Sequence, residues 1–282
     1  MQGLKDMEIG VLIWANPDPS AKIAQLNSFG VRCTQVGLRG DLDLSCVDAW
    51  NRALQSANLT ATSVCASYNG EDYADIPTVK RTVGFIPPAT RTEREARTIA
   101  ACDFAHTIGA KSVTTHIGFV PEDTGDPDYV TVREMVRRVC DHAAKHGVNF
   151  SLETGQEAAP VLLAFIRDVG RSNLGINFDP ANMILYGTGD PIEALGILGK
   201  HVQSVHCKDG NWPPKVPGAL GKEQPLGSGA VGIERFLAKL REIGYTGPLT
   251  IEREGVEPVE WAKDVTVAIQ LLEGLKARAA QA

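Results

Sequence analysis

The chain has 282 residues, 43% apolar and 22% charged, with a net charge of −6. That balance excludes a disordered, collagen-like or disulfide-stapled chain, and an acidic chain without a Lys/Arg cluster lacks what a duplex-binding surface needs to neutralise phosphates. Six dispersed cysteines without a CxxC pair read as reduced thiols, residues 1–9 carry no leader-like pattern and no apolar run is long enough to span a membrane, so we expect a cytoplasmic protein with neither nucleic-acid nor membrane partners.

Short β-branched runs alternate with longer amphipathic ones along the chain. In order, strands are expected at 9–14, 32–38, 60–66, 112–116, 148–153, 174–178, 202–206 and 249–252. The helices between and after them fall near 20–29, 46–57, 91–108, 129–146, 159–169, 191–199, 232–243 and 259–278. Gly30, Gly109, Gly147, Gly170, Gly199 and Gly244 stand at helix exits, where glycine accepts the left-handed residue that ends a helix. Strict alternation implies an α/β protein with a parallel sheet, and eight such units are what a closed (β/α)8 TIM barrel needs. An open doubly wound sheet would carry a glycine-rich first turn. Here the first strand exits into Trp14-Ala15-Asn16-Pro17-Asp18-Pro19 instead. No linker divides the chain, so residues 1–282 read as a single domain.

Two connections exceed the usual ~2–6 residues of a βα loop. One covers 67–90, with Tyr68, Tyr73, Phe85 and Pro87-Pro88; the other covers 207–231, with Trp212, Pro213, Pro214, Pro217 and several glycines. Both follow strands, so both are expected as structured lids over the C-terminal face of the barrel, where TIM-barrel sites are built.

The late strands each end in a metal-capable side chain: Glu153, Asp179, His206 and Glu252. The steps from 153 to 179 and from 179 to 206 are each one βα unit, and the longer step to 252 contains the second lid. Neighbouring strands therefore bring these groups to one end of the barrel. Three crowded carboxylates repel, and without a cation one should be driven toward protonation. One divalent ion relieves that cost. Oxygen donors with a single imidazole suit Mn²⁺ best, with Mg²⁺, Co²⁺ or Zn²⁺ as alternatives. Cys207 should point away from the pocket by strand alternation.

Further candidates surround this set. His116, Asn182, Trp14 and Trp212 are candidate substrate contacts, with Trp212 on the second lid. Gln156 and Glu157 are placed to support the ligands or the substrate, and Glu157 is taken as a substrate contact. Lys208 is a candidate substrate contact as well, although pairing with Asp209 on the lid is the stronger expectation. Gly227-Ser228-Gly229 reads as a hinge or a weak anion-binding turn.

At these residues the chain resembles the xylose isomerase-like TIM-barrel superfamily. The matching segments are Leu152-Glu153, Asn177-Phe178-Asp179-Pro180-Ala181-Asn182, Val205-His206-Cys207-Lys208-Asp209, Leu226-Gly227-Ser228-Gly229 and the run from Gly244-Tyr245 to Ile251-Glu252. The metal set is similar to that of ketose 3-epimerases. The resemblance implies that Glu153 and Glu252 flank a bound ketose, one removing the C3 proton and the other returning it from the opposite side, through an enediolate that the metal stabilises. It implies a small carbohydrate substrate and a homo-oligomer. Departures lie in the substrate shell: Asn182 stands where those epimerases have His, Trp212 where they have Arg, and Ala159 where they have a supporting Glu. Alternatives are a metal-dependent lyase or dehydratase acting on a keto-sugar, keto-inositol or 3-keto-glycoside, and a sugar-binding barrel without catalysis. A trinuclear-zinc endonuclease of the same superfamily is excluded by only six histidines and the acidic charge.

Overall fold

The computed structural model of the protein describes residues 3–279; residues 1–2 and 280–282 of the expected 1–282 unit lie outside the described residues. The strands β1 (Ile9–Trp14), β2 (Cys33–Leu38), β3 (Thr60–Ala66), β4 (Ser112–Thr115), β5 (Asn149–Glu153), β6 (Leu174–Phe178), β7 (Val202–Cys207) and β10 (Leu249–Ile251) form the barrel. It closes in the order β1-β10-β7-β6-β5-β4-β3-β2, with every neighbouring pair parallel. The outer helices are α1 (Ser20–Phe29), α2 (Val47–Ser56), α4 (Arg91–Thr107), α5 (Pro127–Lys145), α6 (Ala159–Val169), α8 (Pro191–Leu198), α9 (Ile233–Glu242) and α10 (Pro258–Ala279). Among the described residues no helix is long and apolar enough to cross a membrane.

Burial explains why the strands read as continuous apolar runs. Parallel strands in a barrel are covered by helices outside and by side chains inside. Every residue of β2 and β6 is buried. Trp50, Phe150, Phe178 and Phe236 are fully buried, and the Phe178 and Phe236 rings stack between β6 and α9. Helix starts are set by Asp-Pro pairs at 126–127, 179–180 and 190–191: each Asp side chain accepts a backbone N–H of the first turn, and each Pro takes a position with no intrahelical donor to lose.

Two short helices were not legible as helices: α3 (Ile76–Thr82), inside the first lid, and α7 (Pro180–Tyr186), directly after β6. Seven residues are too few to establish a helical period. The second lid carries an antiparallel hairpin, β8 (Asp209–Asn211) with β9 (Lys222–Gln224). The two lids touch. Ile76 N–H donates to Gly218 O at 2.9 Å, and Val79, Val83 and Tyr186 form an apolar cluster with Ile76, Phe119 and Leu220.

Asp209 organises the second lid, and it does not pair with Lys208. Its buried carboxylate accepts the N–H groups of Gly210, Gly227, Gly229 and Val231 at 2.9, 3.0, 3.0 and 3.1 Å. The Gly227-Ser228-Gly229 turn is therefore wrapped around an internal carboxylate, which corrects both the hinge and the external-anion expectations. A Cβ at Gly229 would sit 2.2 Å from Asp209 Oδ1. Asp209→Ala would strand several N–H donors and should destabilise the protein by at least about 3 kcal/mol. Asp209→Asn, which keeps one acceptor oxygen, should cost less; equilibrium denaturation of the two variants checks this order.

Candidate metal centre and active site

Four adjacent barrel strands build the site. Glu153 is the last residue of β5, Asp179 follows β6, His206 lies in β7 and Glu252 follows β10. All are buried, and each offers one ligand atom within 4.8 Å of the others. His206 Nδ1 lies 2.9 Å from Glu252 Oε2, 3.3 Å from Glu153 Oε1 and 3.4 Å from Asp179 Oδ2. The two glutamates occupy the ends of the arc, with Asp179 and His206 between them.

The ligand atoms are held by their own partners. Asp179 is the N-cap of α7: its Oδ1 accepts the Asn182 N–H at 2.9 Å, while its own N–H donates to Thr154 Oγ1. This leaves Asp179 Oδ2 buried without a hydrogen-bond partner. Asn182 Nδ2 donates to Glu153 Oε1 at 3.1 Å. His206 Nε2 meets Gln35 Oε1 at 2.5 Å, and Gln35 Nε2 in turn donates to Ser63 Oγ. That contact orients the ring with Nδ1 toward the carboxylates. Gly155 has φ +153, and a Cβ there would approach Asn182 Cβ to 3.0 Å, so glycine lets α7 pack against the turn after Glu153.

The electrostatics depart from the expectation of a protonated carboxyl. Burial pushes the Glu153, Asp179 and Glu252 carboxyls up. His116 and His206 beside Glu153, Lys208 and His206 beside Asp179, and His206 and Lys208 beside Glu252 outweigh it, and all three end below the ordinary range. Burial would lower His206, but Glu252 and Glu153 hold it well above its usual value. Lys208 Nζ lies 3.0 Å from Glu252, 3.6 Å from Glu254, 3.7 Å from Glu223 and 3.8 Å from Asp179. Lys208 thus serves the site as a buried counter-charge among its carboxylates and does not pair with Asp209. Cys207 is buried on the other side of β7, and burial pushes its thiol up to about 12.

Above the ligands lies a cavity of about 610 Å³. Its walls include Trp14, Tyr68, Tyr73, His116, Asn182 and Tyr186, with Glu223 and Glu254 on the acidic side. Both lids contribute to it, Ser67 to Tyr73 from the first and Lys208, Leu220 and Glu223 from the second. His116 Nε2 is 3.6 Å from Glu153 Oε1, and its Nδ1 meets Gln156 Oε1 at 3.1 Å. Arg39 lies over the Trp14 ring at 5.1 Å.

Two expected substrate contacts are elsewhere. Trp212 is 47% exposed at the outer tip of the hairpin and does not line the cavity. Position 211 ends β8, and the chain turns outward after it. Glu157 lines a separate cavity of about 250 Å³ beside Tyr129 and Phe165, where its Oε1 accepts the Val120 N–H at 3.0 Å. The bend after β5 carries it away from the ligands. Conversely, Gln35, Glu223 and Glu254 belong to the site and were not singled out from the sequence. Gln35 had a readable signal, a lone amide in an otherwise buried strand; Glu254 repeats the two-residue period of Glu252; Glu223 depends on a hairpin that only the folded chain reveals.

Residues 22–276 match the family described as xylose isomerase-like TIM barrel. The structure is similar to that of a xylose isomerase domain protein from Planctomyces limnophilus, at 44% identity and TM-score 0.91 over 98% of this chain and 99% of that one. An uncharacterised protein of Methanocaldococcus jannaschii is 27% identical over 195 residues, 63% of this chain and 64% of that protein. A ketose 3-epimerase of Arthrobacter globiformis is 29% identical over 131 residues, 43% of this chain and 40% of that protein. The chain thus spans less than two thirds of the length of these curated relatives.

Burial raises the Glu157 carboxyl to about 7. Because the folded value exceeds the unfolded one, the folded state holds the extra proton between them, and stability falls as pH rises through that interval. Glu157→Gln keeps an acceptor for Val120 N–H and cannot ionise. Relative to the parent chain it should gain up to about 3 kcal/mol between about pH 5 and about pH 8, read from denaturation midpoints at the two pH values.

Proposed function

The chain belongs to the xylose isomerase-like TIM barrel family, and on that premise we propose that it is a divalent-metal-dependent sugar epimerase or isomerase, with ketose 3-epimerisation as its reaction. The observation that carries this reading is the buried Glu153–Asp179–His206–Glu252 set, with its two glutamates at opposite ends of the arc. The likeness to a ketose 3-epimerase supports it.

The donor set fits a cation. Asp179 Oδ2 is buried with no hydrogen bond of its own, and His206 Nδ1 faces three carboxylates. Glu153, Asp179, His206 and Glu252 would hold the ion, and three oxygen donors with one nitrogen suit Mn²⁺, with Mg²⁺, Co²⁺ or Zn²⁺ as alternatives. When bound, such an ion polarises a substrate carbonyl and acidifies the adjacent C–H.

The chain's own groups supply the rest. Glu153 and Glu252 stand on either side of a sugar in the cavity, one to remove the C3 proton and the other to return it. Asn182 fixes Glu153 through its amide, and Lys208 fixes Glu252 through its ammonium. His116 is placed to meet a hydroxyl near Glu153. Trp14 and Tyr68 wall the pocket, and the joined lids keep water from a reactive intermediate. The charges lining the cavity favour a neutral, unphosphorylated sugar: the cations are Arg39, over Trp14, and Lys208, engaged by carboxylates, whereas Asp41, Glu223 and Glu254 add negative charge. Six free thiols fit a reducing, cytoplasmic setting.

The decisive experiment supplies Mn²⁺ and follows solvent deuterium into C3 of a panel of ketoses, together with epimer formation. Glu153→Gln and Glu252→Gln should each keep bound metal and lose about 10²–10⁴ in rate. His206→Ala should lose metal first and recover part of its activity in excess Mn²⁺. Exchange without an epimer would point to the lyase reading. A Glu153→Gln variant that is metal-loaded and fully active would remove that glutamate from the chemistry. Trp212→Ala should leave kcat and KM unchanged, because its side chain stands outside the cavity.

A further inference from the structure

Three of the chain's six histidines gather far from the cavity, where the C-terminal ends of α4 and α5 meet. His142 and His146 are spaced i and i+4, His142 in the last turn of α5 and His146 as its C-cap. That spacing puts two side chains on one helical face, as in helical two-histidine metal sites. Asp103, from α4, completes the group. His142 Nε2 is 2.7 Å from Asp103 Oδ1, His146 Nε2 is 3.4 Å from the same oxygen, and one ligand atom from each residue lies within 4.8 Å of the others. His106 braces the arrangement: its ring packs on His146 with centroids 4.8 Å apart, and its Nδ1 meets His146 O at 3.2 Å.

From this geometry we propose a second metal site, Asp103–His142–His146, on the outer surface of the barrel, for an imidazole-preferring divalent ion such as Zn²⁺, Ni²⁺ or Co²⁺. Metal–ligand bonds of roughly 2.0–2.2 Å place tetrahedral ligand atoms roughly 3.3 Å apart. The Asp103–His146 separation already matches, and the Asp103–His142 hydrogen bond opens by about half an ångström as its proton gives way to the ion. Solvent reaches the group, since the Asp103 side chain is 53% exposed and that of His146 33% exposed, so water can take the fourth position. Two helix C-termini add partial negative charge that favours a cation. Two imidazoles and one carboxylate select against Mg²⁺ and Ca²⁺, which prefer all-oxygen shells. The ion would tie α4 to α5 and stabilise the folded state by mass action.

Zinc stoichiometry tests this without substrate, so the result is independent of the reaction proposed for the cavity. The metal-free full chain is titrated with Zn²⁺ by calorimetry. The parent chain should bind two equivalents. The double variant His142→Ala, His146→Ala should retain only the interior one, and His206→Ala should retain the outer one. Asp103→Asn should weaken the outer equivalent by at least about tenfold. Co²⁺ spectra should show the imidazole-ligated band of the outer site in His206→Ala and lose it when His142 and His146 are also replaced. Asp103, His142 and His146 are exposed or partly exposed, so circular dichroism of the variants at these three positions should be unchanged. A double variant that binds Zn²⁺ with the stoichiometry and affinity of the parent overturns the proposal.

Discussion

Glu153, Asp179 and Glu252 bring three negative charges to one imidazole nitrogen in a place where each side chain is at most 5% exposed. Removing a carboxylate from water costs several kcal/mol unless compensating charge and hydrogen bonds are supplied. The surroundings of the barrel mouth meet that requirement. Lys208 sets its ammonium 3.0 Å from Glu252 and 3.8 Å from Asp179. Asn182 and Thr154 engage Glu153 and Asp179. Gln35 and Ser63, from strands on the far side of the barrel, fix the ring of His206. Part of the barrel interior is therefore polar, in a fold whose core is otherwise filled with aliphatic and aromatic side chains.

The same constraint explains the behaviour of two consecutive residues. Lys208 and Asp209 carry opposite charges, and adjacency alone suggests that they pair. In extended chain, successive side chains point to opposite sides. Lys208 therefore turns inward to the carboxylates, and Asp209 turns into the second lid, where backbone N–H groups satisfy it. One dipeptide thus couples the charge balance of the site to the shape of the hairpin above it. The hairpin in turn meets α3 through the Ile76–Gly218 hydrogen bond, so the two lids enclose the cavity as one joined rim.

That rim determines what the site can admit. Aromatic side chains and carboxylates line the cavity, and Glu153 and Glu252 both border it. The departures from the epimerase pattern also fall into place. Asn182 contacts Glu153 from α7, so its position remains part of the site with an amide in place of an imidazole. Position 212 lies outside the cavity altogether, because the chain leaves the pocket wall at the end of β8.

The barrel, the order of its strands and helices, and the convergence of Glu153, Asp179, His206 and Glu252 were legible in the sequence. The physical reason is periodicity: eight repeats of one βα unit leave little freedom in closure, and residues at the ends of neighbouring parallel strands must share the same end of the barrel. Asp179, Glu252 and their spacing needed no coordinates to be placed together. Contacts between segments distant along the chain carry no such period. Only the tertiary structure paired Gln35 with His206, gave Lys208 to Glu252 instead of Asp209, moved Trp212 and Glu157 out of the cavity and brought Glu223 into it. Each of these depends on where an irregular loop turns or on which side a single residue faces, and a change of one residue in register reverses that answer.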